Sequence, residues 1–242
     1  MKYAVLADIH SNLAALNSVL LDIEKSGKID EIWCLGDIVG YGPDPHRCIE
    51  IVQNRCSVCV AGNHDWAAIG KMDPAYFNPD AAAAVEWTSR QLKSDDIHFL
   101  QSLPLIVEKG DFTLAHGSPR DPIWEYVLSA EDAKENLKFF KTLYCFIGHS
   151  HTPVWFECDK SCSANESLAG RAIKLEKKRM IINIGSVGQP RDGDPRAAYA
   201  VYDSDARTVT LERIPYDIRD TQLRMQDAAL PEWLVTRLAY GK

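Results

Sequence analysis

No stretch of this 242-residue chain approaches the ~18 to 20 apolar residues that a membrane-crossing helix needs. The opening run of apolar residues meets Asp8 too early for a secretory leader. Basic residues are in deficit, 27 Lys and Arg against 34 Asp and Glu, and the net charge is −7. That balance argues against stable coating of nucleic acid, which needs a basic surface. It does not exclude action on phosphates, because bound metal ions supply local positive charge in an acidic protein. The cysteines are too few and too scattered for a disulfide framework. Seven of them without a leader fit a reducing cytoplasm with free thiols, Cys158 and Cys162 included. Repeats, low-complexity tracts and linkers are missing, so residues 1–242 read as one domain. What remains is ordinary globular composition, 46% hydrophobic and 25% charged.

Apolar runs at 3–7, 32–35, 58–61, 111–115 and 143–147 have the length of buried strands, and each ends at a polar cluster. Residues 12–24 place Leu13, Leu16, Val19, Leu20 and Ile23 on one helical face, with Gly27 as the stop. Helices are expected over 79–93, 94–102 (capped by Ser94) and 130–141, and a last short one after Pro231. Residues 105–109 pair with 111–115 around Gly110 as a hairpin. Later strands are expected at 154–157, 172–175, 179–183, 198–202 and 208–214, while the polar segment 159–170 gives no clear reading. Early βα units followed by late hairpins predict an α/β fold, a four-layer α/β/β/α sandwich.

The chemistry is concentrated where strands hand over to loops. The clusters are Asp8-Ile9-His10, Gly36-Asp37, Gly62-Asn63-His64-Asp65, Ala115-His116-Gly117 and Gly148-His149-Ser150-His151, and they hold five of the seven histidines. Each alone is ordinary: Gly-Asp is a common turn pair, and a lone histidine is more often structural. Only the conjunction is informative. Open α/β sheets gather ligands at the carboxyl ends of their strands, so five such clusters predict a divalent-metal site. Carboxylate, imidazole and amide oxygen together suit Mn, Fe, Zn or Ni, whereas a structural zinc site would favour cysteine. The donors exceed what one ion needs; two ions ~3.5–4 Å apart sharing a carboxylate would use them all.

In these five blocks, D-x-H, G-D, G-N-H-[DE], H and G-H-x-H, the sequence resembles the calcineurin-like metallophosphoesterases. The resemblance implies that Asp8, His10 and His151 hold one metal and Asn63, His116 and His149 the other, with Asp37 bridging. It implies that His64 stands beside the metals as proton donor, oriented by Asp65. Gly40-Tyr41-Gly42-Pro43 and the loop from Asn183 to Pro195 are similar to the small bacterial and archaeal phosphodiesterase branch. The arginine that protein Ser/Thr phosphatases carry after the G-D block is absent.

The implied activity is hydrolysis of a small phosphodiester or nucleotide, a dinucleoside polyphosphate among the candidates, by attack of a metal-bridging hydroxide. A protein-binding scaffold on the same fold, or a nuclease, are the alternatives. For substrate contacts, Ser186 sits in a glycine-flanked loop able to approach a phosphate, and Tyr41 either stacks on a leaving group or packs the loop. Arg191 either clamps phosphate or pairs with Asp192 or Asp194. The C-terminal apolar residues Leu230, Trp233, Leu234 and Leu238 either cap the fold or form a homo-oligomer interface. Cys56 and Cys59 read as thiols lining a buried strand.

Overall fold

The computed structural model describes residues 1–27, 29–159, 161–166 and 169–242. The strands are β1 (Lys2–Leu6), β2 (Glu31–Cys34), β3 (Val58–Cys59), β4 (Ile106–Lys109), β5 (Phe112–Ala115) and β6 (Tyr144–Ile147). They continue with β7 (Val154–Cys158), β8 (Cys162–Glu166), β9 (Ala172–Lys174), β10 (Arg179–Asn183), β11 (Ala197–Asp203) and β12 (Thr208–Ile214). The helices are α1 (Leu13–Lys25), α2 (Pro45–Arg55), α3 (Asn63–Ala68), α4 (Pro79–Gln91), α5 (Ser94–Ser102), α6 (Ala130–Asn136), α7 (Ile218–Asp227) and α8 (Glu232–Arg237). Among the described residues no helix is long and apolar enough to cross a membrane.

Two mixed six-stranded sheets result, in the orders β3-β2-β1-β11-β12-β9 and β4-β5-β6-β10-β7-β8. In the first, β1, β2 and β3 run parallel; in the second, β5, β6 and β10 do. Side-chain alternation decides the layers, since successive residues of a strand point to opposite faces. Val5, Ala7, Trp33 and Leu35 meet Phe112, Leu114, Tyr144, Phe146, Met180 and Ile182 in a core between the sheets. The interleaved Ala4, Leu6, Ile32 and Cys34 face outward onto α1 and α2 through Leu16, Val19, Ile49 and Val52. On the far side Cys145, Ile147 and Ile181 pack against Val127, Ala133 and Phe140, around α6. The architecture is the expected four layers, two sheets flanked by helices.

Local signals explain most boundaries. Asn12 caps α1 by accepting the Ala15 N–H at 3.1 Å, and the chain leaves the helix through Gly27 at φ +109°. Ser94 is the first helical residue of α5 rather than its cap; the Asp96 carboxylate serves that end by accepting the Lys93 N–H at 2.8 Å. The helix expected over 130–141 ends at Asn136.

Helices α2 and α7 were not foreseen, because their apolar stripes are thin. Only Pro45, Cys48, Ile49 and Val52 are buried in α2, and Thr221 and Met225 in α7. His46 joins α2 to α5 through Asp96 at 2.9 Å. The unreadable segment 159–170 contains β8, antiparallel to β7; residues 160, 167 and 168 lie outside the described residues. That hairpin overturns the expectation of free thiols there. It sets Cys158 directly opposite Cys162, with Cα atoms 4.1 Å apart, and the two form a disulfide. Cys56 and Cys59 are free thiols.

Candidate metal centre

The five motifs lie beyond the C-terminal ends of parallel strands, β1, β2 and β3 in one sheet and β5 and β6 in the other, so the two sheets deliver their polar ends to one place. The loops are stitched to one another through the backbone. His10 N–H donates to the Asp37 carbonyl at 2.9 Å, and Gly188 N–H to the Asp8 carbonyl at 2.9 Å. Asp8, His10, Asp37, His149 and His151 all adopt left-handed backbone, with φ of +54°, +49°, +50°, +65° and +58°. Such conformations cost free energy for residues with a Cβ and cluster where a side chain must be aimed.

Two groups of donors form, Asp8-His10-Asp37-His151 and Asp37-His116-His149, with Asp37 common to both and all members buried. The imidazole tautomers can be derived. His10 Nδ1 faces the Val39 carbonyl at 3.1 Å, and His151 Nδ1 faces the Gln189 carbonyl at 2.6 Å. A carbonyl can only accept, so both protons sit on Nδ1. Their Nε2 lone pairs then point at each other across 3.0 Å. The second group repeats the arrangement. His116 Nδ1 donates to the Leu35 carbonyl at 3.0 Å and His149 Nε2 to the Trp124 carbonyl at 3.2 Å. This leaves His116 Nε2 facing His149 Nδ1 at 3.1 Å and Asn63 Oδ1 at 3.0 Å, all three of them acceptors.

Converging lone pairs repel unless a cation stands among them. The Asp37 Oδ2 atom is buried without a hydrogen-bond partner among the described residues, 3.5 Å from His10 Nε2 and 3.4 Å from His116 Nε2. The donor set therefore fits metal binding, with one orphaned carboxylate oxygen between the two groups. Burial lowers His10, His116 and His151 well below the usual imidazole range and takes His149 down to about 3, so all four rings are neutral and able to offer a lone pair.

His64 lies at the edge of this cluster. Its N–H donates to Asp37 Oδ1 at 2.9 Å, and its ring packs 4.3 Å from Tyr41 and 4.8 Å from Phe77. Burial, then the charges of Arg191 and His116, lower its pKa well below 6.5. Asp65 does not orient His64, contrary to expectation. Its carboxylate accepts N–H bonds from Gly62 at 2.9 Å, Ile38 at 2.9 Å and Val39 at 3.1 Å, tying the β2 and β3 loops together. Burial pushes it up to about 6 against those bonds.

Ser186 does not line the site either. Its hydroxyl donates to the Asp8 carbonyl at 2.8 Å and accepts the Gln189 N–H at 2.8 Å, and the Val187 and Gly188 N–H groups are spent on Ala7 and Asp8. Arg191 shows the opposite outcome. Asp192 pairs with Arg213 and Asp194 with Arg196, so the salt-bridge alternative for Arg191 falls. Arg191 instead donates to Gln189 Oε1 at 2.8 Å and to the Tyr41 hydroxyl at 3.4 Å.

A cavity of about 310 Å³ opens over these groups, with Asp37, Asn63, His64, His149, His151 and Arg191 on its floor and sides. Its rim was not anticipated. Tyr76, Phe77, Trp124 and Tyr126 supply an aromatic wall, and Arg237 enters from the C-terminal segment. Tyr126 stacks on His149 at 3.8 Å and Trp124 stands edge-on to Phe77 at 5.2 Å, while Tyr76, Trp124 and Tyr126 remain exposed. The only sequence signal was a cluster of aromatics in loops, since none falls in a motif. Leu230, Leu234 and Leu238 are buried under Tyr41 with Ala81, Ala84 and Met225, capping the cavity's flank. A larger cleft of about 640 Å³ near β8 and β9 lies away from every motif.

Comparison with known proteins agrees with this geometry. Residues 1–207 match the family model of the calcineurin-like phosphoesterase superfamily domain. A solved metallophosphoesterase from Sphaerobacter thermophilus is similar at a TM-score of 0.92 and 46% identity, over 100% of this chain and 99% of that one. An uncharacterized protein of Methanocaldococcus jannaschii is 41% identical across 99% of this chain and 98% of its own length. A symmetrical bis(5'-nucleosyl)-tetraphosphatase of Vibrio campbellii is 24% identical over 54% of this chain; the match spans 49% of that enzyme, about half its length.

Proposed function

The chain belongs to the calcineurin-like phosphoesterase superfamily and is a metal-dependent phosphoric ester hydrolase, and from that premise we propose that it cleaves a small phosphodiester or nucleotide at a dinuclear centre. The observation that carries this reading is the pair of lone-pair clusters sharing Asp37. Asp8, His10 and His151 would hold one ion and Asn63, His116 and His149 the other, with Asp37 common to both groups. Two divalent ions of the Mn, Fe, Zn or Ni class supply Lewis acidity, neutralising phosphoryl oxygens and lowering the pKa of water.

The protein's own groups do the rest. Backbone carbonyls lock each ligand imidazole in the tautomer that presents a lone pair. Arg191, with no ion pair to a carboxylate among the described residues, aims its guanidinium at the phosphoryl oxygens. His64, neutral in the free site, donates a hydrogen bond to the leaving oxygen as charge develops there. Tyr41 supports both, packed against His64 and beneath Arg191 at 5.7 Å. The aromatic wall suits a flat leaving group such as a nucleobase, and the tetraphosphatase relatives make a dinucleoside polyphosphate the leading candidate.

That both sheets build one site supports reading residues 1–242 as one domain. Five free thiols, three of them buried, favour a cytoplasmic setting, with Cys158–Cys162 as the one oxidised pair among the described residues.

The test is metal-stripped protein reloaded with Mn²⁺ and assayed on a nitrophenyl monoester, bis(4-nitrophenyl) phosphate, a cyclic nucleotide and diadenosine tetraphosphate. Metal-dependent turnover of a diester or nucleotide is expected. Silence on every substrate with two metals bound would overturn the substrate reading.

A further inference from the structure

Two arginines, Arg191 and Arg237, reach the wall of the same cavity from different segments. Arg120, Arg196, Arg213 and Arg224 each pair with a carboxylate. Arg191 and Arg237 do not: no ion pair to a side-chain carboxylate involves either among the described residues. Arg191 is held by Gln189 and Tyr41, which are neutral. Arg237 donates through Nε to the main-chain oxygen of Lys242 and lies 5.9 Å from the Trp233 ring. Both guanidiniums are half-buried, both line the same cavity, and both act on Tyr41 electrostatically. Burial, then the charge of Arg191, lowers Arg237 to about 10, against the opposing charges of Tyr41 and Asp80.

A cavity lined by two guanidiniums suits an anion with enough reach to accept hydrogen bonds from both forks. The scissile phosphoryl group is already served by the metal cluster and Arg191, so a second arginine is surplus for a simple diester. Its carrier is also informative. Arg237 ends α8, whose Leu234 and the following Leu238 are clamped under Tyr41, so the guanidinium is placed by a packed element rather than a free tail.

We infer that Arg237, beside Arg191 at the scissile phosphate, forms a cradle for a second, non-scissile phosphate, so that the site favours substrates bearing two or more linked phosphates over isolated diesters. This deepens the proposed phosphoesterase function and rests on it for the scissile step. Arg237 is a specificity residue in this scheme, not a participant in bond cleavage.

The experiment compares Mn²⁺-loaded wild-type protein with Arg237→Ala and Arg237→Lys. Calorimetric titration uses inorganic pyrophosphate and orthophosphate as probes. Charge-assisted contacts are worth about 1.5–3 kcal/mol, so Arg237→Ala should weaken pyrophosphate about 10- to 100-fold and orthophosphate less than about threefold. Arg237→Lys should recover part of the loss, since the charge remains without the fork. In kinetics, kcat/KM for diadenosine tetraphosphate should fall about tenfold or more while bis(4-nitrophenyl) phosphate changes less than about threefold.

Equal losses for both probes, or none, would overturn the cradle. Recovery by lysine guards against a merely structural effect on α8. If wild-type protein turned over neither ester yet bound pyrophosphate in an Arg237-dependent way, the proposed function would fail and the cradle would stand. Turnover with pyrophosphate binding indifferent to Arg237 would do the reverse.

Discussion

Gly40 lies flat against the imidazole of His64: a Cβ at position 40 would stand 2.5 Å from His64 Nδ1 and 2.9 Å from its Cγ. The glycine is also at φ +92°, a backbone region that side chains disfavour. Its hydrogen is therefore the floor on which His64 rests, and the turn after Asp37 sets that ring's height in the cavity.

Replacing that floor should disable His64 without touching the ligands. Gly40→Ala is expected to lower kcat about 100-fold or more, within the range that positioned acid–base groups contribute. His64→Ala should share the phenotype, with larger losses for alkoxide than for nitrophenolate leaving groups, and both variants should keep their metals by elemental analysis. Equal losses across leaving groups would remove His64 from the role assigned to it.

Asp37 is the one carboxylate common to both donor groups. Asp37→Ala is expected to empty both positions and to cut turnover more than about 100-fold, beyond the loss typical of a group that only supports a ligand. The variant also deprives the His64 N–H of its acceptor. Elemental analysis is the check, and near-normal metal content would refute the bridge.

Glu125 anchors the loop that carries Trp124 and Tyr126. It accepts hydrogen bonds from Ser118, Arg120 and, at 3.1 Å, Asn136 Nδ2. Partial burial raises its pKa, but the bonds from Arg120, Ser118 and Asn136 outweigh that and hold it below the usual 4.5. A carboxylate depressed in the folded state stabilises fully above its unfolded pKa and loses that contribution as pH falls through the folded one. The loop should therefore loosen below about pH 4.5, read as a change in tryptophan fluorescence preceding global unfolding. Glu125→Gln should flatten that acid limb and raise KM for a nucleotide about two- to fivefold with kcat unchanged. An unaltered acid limb would show that the anchor is not electrostatic.

The five polar clusters that converge in the structure were legible in the sequence because the signal is local. An apolar run that stops at a polar turn marks where a strand ends, and strand ends of parallel sheets share an edge. The sandwich followed from the same alternation, which sends Val5 and Ala7 to one face and Ala4 and Leu6 to the other. Sparse stripes defeated the reading elsewhere: α2 and α7 bury too few apolar residues to announce themselves.

The sequence by itself thus determined the polar clusters, their order and the fold that gathers them, since these depend on composition and period within short windows. Only the tertiary structure decided what surrounds them. It turned Asp65 away from His64 onto three backbone amides, buried Ser186, and gave Asp192 and Asp194 to other arginines so that Arg191 faces the cavity. It also brought Trp124, Phe77 and Arg237 to one rim from three distant segments. Such partnerships are contacts between residues far apart in the chain, and no local pattern encodes which of several nearby charges an arginine will meet.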